Sequence, residues 1–214
     1  YIFNLMAISG QITLFYAWPG TGKTLIFLNF LINAIKSGQI DPAKLIYINA
    51  DDSYGGLGEK GDIAKQYGFS MISPDEAGLS PEQILGMIED LASEDDLQGV
   101  VVVLDTLKKF SDMTNKNSQK AIFQVLRKVT AKGGSVLLAG HANKSKDNEG
   151  RLIYEGTSDT KNDVDCLYSI YRLSDEHDPH QVVEFRNEKA RGQVERKLTY
   201  EYNFNSGTYH EIVM

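Results

Sequence analysis

The sequence contains a single cysteine, Cys166, and therefore cannot form an internal disulfide framework. A zinc site built from several cysteines is excluded for the same reason. Cys166 lies within the apolar run CLYSIY, which favours a small buried side chain over a reactive thiol. We therefore expect neither disulfide nor thiol chemistry from this chain.

Long hydrophobic runs and an excess of positive charge are also missing. The longest apolar runs are far below the ~20 residues that span a bilayer, and no positively charged segment precedes a cleavage signal. The net charge is −7, so any contact with nucleic acid has to be local rather than spread over the surface. We expect a cytoplasmic protein without membrane contact.

The composition is otherwise that of a globular domain. Of the 214 residues, 42% are hydrophobic and 24% are charged, which is enough apolar material for one full core. No repeat and no linker divides the chain, so residues 1–214 are predicted to form a single domain. The first residue is Tyr1 rather than Met, which is typical of a segment taken from a longer chain.

A glycine-rich loop is the strongest functional signal. Residues 12–24 read ITLFYAWPGTGKT, an apolar strand followed by a turn, and the helical stretch TLIFLNFLINAI comes next. In phosphate-binding loops of this kind, backbone N–H groups wrap an oligophosphate, the lysine reaches its terminal phosphates and the threonine hydroxyl binds Mg²⁺. The pattern predicts ATP and Mg²⁺ as ligands, with ATP contacts from Pro19, Gly20, Thr21, Gly22, Lys23, Thr24 and Leu25. Ala17 stands where the pattern has its first glycine, and alanine is the smallest replacement.

Strand and helix signals alternate through the first two thirds of the chain. β-Branched and aromatic runs predict buried strands at 44–49, 100–104 and 136–139. A helix is expected from Ser80, where Ser, Pro and Gln form a capping-box pattern, and another over 120–132. Residues 55–69 are only moderately helical, and 144–165 are predicted to be a long irregular loop.

Four strand-like runs close the chain. They are CLYSIYRL, QVVEFRNE, VERKLTYEYNF and TYHEIV, separated by short turns, and this spacing predicts an antiparallel meander. The predicted fold is α/β, with a central, mostly parallel sheet flanked by helices and a C-terminal antiparallel β meander at one edge.

The predicted strands bring polar residues to one edge of that sheet. Ligands of open α/β sheets lie at the carboxyl ends of the strands. At those ends this chain has Lys23 and Thr24, Asp51, Asp105 and His141. Asp105 ends an apolar strand, a position from which a carboxylate holds the water shell of Mg²⁺. We predict Thr24 and Asp105 as the metal-binding residues.

These residues resemble a known family. In order along the chain, WPGTGKT, YINADDS, VVVLDTLKKF, LLAGHANK with the later EGTS, and EKARG are similar to segments of the RecA-like ATPases. Among these ATPases, the hexameric replicative helicases of the RepA and DnaB kind are the most similar. WPGTGKT and VVVLDT occur in many NTPases, whereas LDTLKKF followed by GHANK and EKARG is more specific.

The resemblance implies roles for single residues. Asp51 stands where relatives carry a glutamate that polarises the attacking water, and His141 stands where they carry a γ-phosphate sensor. Lys189 and Arg191 match a Lys-x-Arg element that acts on the neighbouring subunit's site as an arginine finger. The resemblance thus implies a homo-oligomer, a hexameric ring with shared sites. An exposed basic stretch of a hairpin is the alternative interpretation of residues 189–191.

The resemblance also implies contacts with single-stranded DNA. Relatives line the ring's channel with two loops, whose counterparts here are 111–118 and 144–154. Their basic side chains, Lys116, Lys144, Lys146 and Arg151, are the predicted phosphate contacts. Acidic residues intervene in both loops, and an ordinary solvated loop explains these residues equally well.

The sequence therefore predicts an enzyme, a RecA-like ATPase that serves as the motor of a replicative DNA helicase. One alternative is a KaiC-like or recombination-type ATPase switch that unwinds no strand, which the short Asp51 side chain and the acidic composition favour. A nucleotide kinase is a second alternative, against which the C-terminal meander and the absence of an arginine-rich lid both speak.

Overall fold

The computed structural model describes residues 1–51, 54–110, 115–175, 178, 180–203 and 206–212, without the side chains of 54–57, 116, 158 and 159. Its helices are α1 (Lys23–Lys36), α2 (Tyr54–Tyr67), α3 (Pro74–Ala77), α4 (Pro81–Leu91), α5 (Lys116–Ala131) and α6 (Ser158–Asp163). Its strands are β1 (Ile12–Ala17), β2 (Leu45–Asn49), β3 (Ser70–Ile72), β4 (Val101–Asp105), β5 (Ser135–Lys146), β6 (Leu152–Tyr154), β7 (Cys166–Arg172), β8 (His180–Ala190), β9 (Lys197–Asn203) and β10 (Thr208–Ile212). Strands and helices alternate up to β5, as predicted, except that two helices, α3 and α4, lie between β3 and β4.

The described strands form one sheet in the order β10-β9-β8-β7-β1-β5-β4-β2-β3, with β6 paired to β5. Strands β1, β2, β3, β4, β5 and β7 are parallel, and β8, β9 and β10 continue the sheet as an antiparallel meander. The α/β class and the C-terminal meander are confirmed. The four C-terminal runs pair in succession as antiparallel strands, and β7 joins them to the parallel sheet by pairing in parallel with β1 through Thr13 and Cys166.

The core lies on both faces of the sheet. Along β1, Phe15 and Ala17 face one apolar cluster, while Leu14 and Tyr16 face the other, so the strand is buried on both sides. Phe3 fills the first cluster, with its ring centroid 5.0 Å from that of Phe15. The segment before β1 thus belongs to the core, which the sequence pattern did not indicate.

Local signals in the sequence explain several helix ends. The capping box at Ser80 is present, because the Ser80 hydroxyl accepts a bond from the Gln83 N–H at 3.3 Å and Gln83 accepts one from the Ser80 N–H at 2.8 Å. Helix α5 begins at Lys116 rather than near Lys120, because the Asn115 side chain caps it by accepting bonds from the next turn.

The prediction of an irregular loop over 144–165 is wrong. Strand β5 runs on to Lys146 and forms a hairpin with β6, in which Ala142 pairs with Tyr154. The buried side chains of Leu152 and Tyr154 hold this β5–β6 hairpin against the sheet. Helix α6 follows. Residues 55–69, predicted to be moderately helical, form most of α2.

In the part of the chain that the structure describes, every helix is too short or too polar to cross a membrane.

Candidate functional site

The loop between β1 and α1 is held in a tight turn by its own residues. The backbone N–H and the hydroxyl of Thr21 both donate to the Trp18 carbonyl, at 3.3 and 2.8 Å. Gly22 has a φ of 86° and immediately precedes α1, with no side chain capping the helix. The free N–H groups of the first helical turn and the helix dipole therefore favour an anion at this loop.

The C-terminal meander supports the loop from behind. Gln181 of β8 is buried and donates from Nε2 to the Thr21 carbonyl at 2.9 Å. A Cβ added to Gly22 would lie 3.1 Å from the same Nε2 atom, so a side chain has little room there. Gln181 was missed by the sequence analysis, since nothing local connects it with a loop 160 residues away.

One cavity of about 440 Å³ lies in front of this loop, and the predicted residues that line it are Pro19, Gly20, Gly22, Lys23, Thr24, Leu25, Asp51 and His141. Leu28 and, from α2, Glu59, Lys60 and Ile63 complete the lining. Helix α2 was not expected to contribute to the site. A larger groove of about 730 Å³ lies over α5, but buried Lys23 and His141 line the smaller cavity, whereas Thr21 and Asp105 do not.

Lys23 and Asp105 form the buried polar centre of the site. Their side chains are only 7% and 1% exposed. Burial lowers the pKa of Lys23, against the opposing charges of Asp105 and Asp51. Burial raises the pKa of Asp105, while hydrogen bonds from Thr24 and Tyr47 and the charge of Lys23 lower it. The Tyr47 hydroxyl donates to Asp105 Oδ2 at 2.7 Å, which fixes that carboxylate at the end of β4.

His141 lies beside this pair, seven residues into β5. It is buried, and neither ring nitrogen has a hydrogen-bond partner among the described residues. Its Nε2 atom is 3.7 Å from Asp51 Oδ2, too far for a hydrogen bond. Burial first, and then the charges of Lys23 and Lys108, lower the pKa of His141 to about 4. The imidazole is therefore neutral near pH 7, and it can donate a hydrogen bond to a ligand from one ring nitrogen or accept one at the other.

The residues at the end of β4 fit a hydrated divalent cation. Thr24 hydrogen-bonds to the Asp105 carboxylate, and Asp105 Oδ1 is buried without a partner among the described residues. Hydroxyl and carboxylate oxygens are the ligands that Mg²⁺ prefers, usually with retained waters and substrate phosphates. Within the described residues, no group of three or more His, Cys, Asp and Glu side chains could hold a metal. Protein ligation would therefore rest on Thr24 and Asp105.

Lys189 and Arg191 lie far from their own chain's cavity. Ala190 pairs with Cys166 at the start of β7, and β7 is parallel to β1, so both basic residues are at the amino edge of the parallel sheet. Arg191 donates to Asp165 Oδ1 at 3.0 Å, and Lys189 donates to the carbonyls of 161 and 162 at 2.6 and 2.9 Å. They therefore do not contribute to the cavity of their own chain.

The predicted nucleic-acid contacts are partly engaged within the chain. Lys144 is exposed on β5, and the Lys146 ammonium lies 5.0 Å from the centroid of the Trp18 ring. Arg151 is paired at the hairpin tip, with its Nε atom 2.8 Å from Asp147 and a terminal nitrogen 3.2 Å from Glu149. Lys116 begins α5, and its side chain and residues 111–114 lie outside the described part.

Two further residues interact with residues of the site without having been expected there. Lys108 follows β4 in a short 3₁₀ turn, and its charge lowers the pKa values of both Lys23 and His141. Tyr47 belongs to β2, two residues before the end of the strand. Burial of every residue of β2 except Ile46 marks Tyr47 as core, but its bond to Asp105 depends on the pairing of β2 with β4.

No protein-family model and no curated protein matches the chain significantly. Its function has to be inferred from the arrangement of its own residues.

Proposed function

We propose that this chain is a RecA-like domain that binds and hydrolyses ATP and serves as the motor of a ring-forming replicative DNA helicase. One observation carries the proposal. Buried Lys23 and His141 line one cavity at the N-terminus of α1, and the buried Asp105 carboxylate interacts with Lys23 and Thr24; both His141 nitrogens and one Asp105 oxygen lack hydrogen-bond partners among the described residues. Unpaired buried polar atoms are costly, so their convergence indicates a polar ligand.

A nucleotide triphosphate fits this arrangement. The glycine-rich turn and the first turn of α1 supply N–H groups for the β- and γ-phosphates, and the Lys23 ammonium supplies positive charge. The neutral His141 ring is available to hydrogen-bond a γ-phosphate oxygen. The strand that ends in Asp105 is separated from β1 by β5 alone, which supports the RecA-like assignment.

Thr24 and Asp105 are the residues that would hold Mg²⁺. When bound, the cation would neutralise phosphate charge during transfer. Tyr47 keeps Asp105 oriented, and Lys23 compensates the carboxylate's charge.

The proposed reaction is hydrolysis of the γ-phosphoryl group. Water attacks the γ-phosphorus, the bond to the bridging oxygen of ADP breaks, and inorganic phosphate is released. Asp51 lines the cavity and is the residue that we propose orients this water. Its side chain is one methylene shorter than glutamate, and a misplacement of about 1 Å can cost roughly 100-fold in rate. We therefore expect slow hydrolysis.

Acceleration would come from a neighbouring subunit. Arg191 and Lys189 lie at the amino edge of the sheet, opposite the cavity of their own chain. In a ring, that edge would face the next subunit's cavity and bring positive charge to the transferred phosphoryl group. An arginine finger of this kind is worth ~10³ or more in rate. The proposed assembly is a homo-oligomer, a hexameric ring.

The β5–β6 hairpin is the proposed contact with single-stranded DNA. It continues the strand that carries His141, and Lys144 is exposed on it. The side chain that contacts the γ-phosphate, His141, and the one that contacts a DNA phosphate, Lys144, would then lie on the same strand.

A second candidate function is an ATPase switch of the KaiC or recombination type, with no unwinding. The observation that favours it is the pairing of Arg151 with Asp147 and Glu149, whose two carboxylates more than compensate its charge at the hairpin tip. A tip without net positive charge attracts a phosphate backbone less strongly.

Steady-state ATP hydrolysis separates the two functions. We would measure it with and without single-stranded DNA, at two protein and two salt concentrations. Stimulation by DNA that rises with protein concentration and fades with salt supports the helicase motor. Binding of ATP without DNA-stimulated turnover supports the switch. Lys23→Met should abolish binding, and Lys36→Met, at the other end of the same helix, should leave it unchanged.

Asp51→Glu tests the role of the carboxylate. If the Asp51 side chain is one methylene too short to orient the water well, the glutamate variant should hydrolyse ATP faster, by up to ~100-fold. Its affinity for ATP should change little. Asp51→Asn should bind ATP and lose turnover. Equal rates for the wild type and both variants would remove Asp51 from the reaction.

A further inference from the structure

Trp18, the only tryptophan of the chain, joins the phosphate-binding loop to the β5–β6 hairpin. Its indole Nε1–H donates to the Asn143 carbonyl at 2.8 Å. The Lys146 ammonium lies over the same ring, 5.0 Å from its centroid. The indole is about one-third exposed, so it bridges two surface elements rather than filling the core.

Both ends of this bridge are connected to the nucleotide cavity. The Trp18 carbonyl accepts the two bonds from Thr21 that shape the glycine-rich turn. Asn143 follows His141 by two residues on β5, and the His141 carbonyl accepts a bond from the Glu155 N–H at 2.8 Å, just beyond β6. A shift of the loop therefore reaches the hairpin by two routes, through the indole and through β5.

Lys146 has competing partners. While its ammonium lies over the indole, the cation–π contact and the Trp18–Asn143 bond hold the strand end against the loop. A phosphate group that binds Lys146 draws it away from the ring. The charge at Lys146 can thus serve either the contact with Trp18 or an anionic ligand outside the hairpin.

We infer that Trp18 is a positioning residue that couples phosphate binding in the loop to the placement of Lys146 on the β5–β6 hairpin. This inference rests on the proposed function, since it needs a nucleotide in the cavity. An exposed cation–π contact corresponds to a change of about two- to five-fold in a binding constant. Linkage is reciprocal, so an anionic ligand of the hairpin changes nucleotide affinity by the same factor.

The emission of Trp18 tests the inference directly, because no other tryptophan contributes to it. The probes are MgADP for the cavity and a single-stranded oligonucleotide for the hairpin. Equilibrium dialysis with radiolabelled ADP measures nucleotide affinity independently of fluorescence. We expect MgADP to shift the Trp18 emission, and the oligonucleotide to change ADP affinity by about two- to five-fold.

Three variants make the test specific. Lys146→Gln should shift the emission of the free protein. In this variant, ADP affinity should be nearly the same with and without the oligonucleotide. Trp18→Phe retains a ring but loses the bond to Asn143, and it should remove most of that effect while ADP affinity alone stays within about two-fold. Lys36→Gln is the matched control, because Lys36 also lies over an aromatic ring, that of Tyr67 at 5.4 Å, away from the loop. It should behave as the wild type.

The possible failures are distinguishable. If ADP does not bind the wild type in dialysis, the proposed function falls and the inference with it. If ADP binds but the Trp18 emission does not respond, or if Lys146→Gln and Lys36→Gln retain the same oligonucleotide effect, the inference alone is overturned.

Discussion

Protonation of His141 is unfavourable in the folded chain, and this makes stability depend on pH in a defined direction. The imidazole is buried, and the cations Lys23 and Lys108 lie near it. Burial and these charges lower its pKa from 6.5 to about 4. In the unfolded chain the same ring takes up a proton near pH 6.5. Stability is therefore fully present above pH 6.5 and is lost as pH falls from there toward 4.

The two pKa values set the size of the effect. A gap of about 2.5 pKa units corresponds to ~3 kcal/mol, and this full loss is reached only below both pKa values, where the ring is protonated in the folded and the unfolded chain alike. At pH 5 the loss is ~2 kcal/mol relative to pH 7. Other groups titrate in this range too, so the quantity to compare is the difference between the wild type and His141→Gln, which lacks the ionisable ring.

The measurement is urea unfolding followed by circular dichroism at several pH values from 7 to 4.5. Between pH 7 and pH 5 the wild type should lose ~2 kcal/mol more than His141→Gln. His180→Gln, at an exposed histidine outside the cavity, is the control substitution. An NMR titration of the four histidines should show one signal with a midpoint near pH 4 that is missing in His141→Gln.

Parallel stability curves for the wild type and His141→Gln would refute the reasoning. They would mean that His141 takes up its proton equally well in the folded chain, for example by accepting Asp51 as a close partner. The ring would then be charged below pH 6.5 and could not be a neutral hydrogen-bonding partner for a phosphate there.

Three other substitutions probe the supports of the site. Tyr47→Phe should raise the Mg²⁺ concentration needed for half-maximal ATP hydrolysis by ~10-fold, because Asp105 loses an orienting bond; an unchanged Mg²⁺ dependence would contradict this. Arg127→Ala should lower the free energy of unfolding, measured in urea, by ~2–3 kcal/mol, and Arg191→Ala should lower it by less than ~1 kcal/mol. Both arginines pair with the buried Asp165 carboxylate, but Arg127 donates two bonds to it and Arg191 is the more exposed. Gly22→Ala should cost ~1–3 kcal/mol and weaken ADP binding in dialysis, because its φ is 86°; wild-type values in both assays would show that the loop tolerates a side chain.

The parts of the fold that could be predicted depend on neighbouring residues in the sequence. Ser80 and Gln83 are three positions apart, and their capping box was predicted and is confirmed. The continuous β-branched run that ends at Asp105 indicated a strand buried on both faces, and β4 is buried throughout. These signals involve only local geometry, so they are readable without knowing the rest of the structure.

The features that could not be predicted depend on contacts between distant residues. The parallel pairing of β7 with β1 depends on a register that no local turn specifies. The bond from Tyr47 to Asp105 spans 58 residues, and that from Gln181 to Thr21 spans 160. The loop expected over 144–165 proved to be a hairpin and a helix, because buried Leu152 and Tyr154 stabilise a segment whose composition is polar.

Asp165 is held by two arginines of its own chain, Arg127 and Arg191. Burial alone would raise the pKa of Asp165, but hydrogen bonds from Arg127 and the Ile12 N–H, with the charge of Arg191, hold it below its usual range. Arg127 approaches the carboxylate at 2.6 and 3.0 Å, and Arg191 approaches it at 3.0 Å. If Arg191 left for a phosphate in another subunit, Arg127 and the Ile12 amide would still compensate the buried charge. The exposed Arg191 can therefore exchange partners at little cost to the fold, whereas Arg127 cannot, and a finger role for Arg191 is compatible with the ion pair it makes in its own chain.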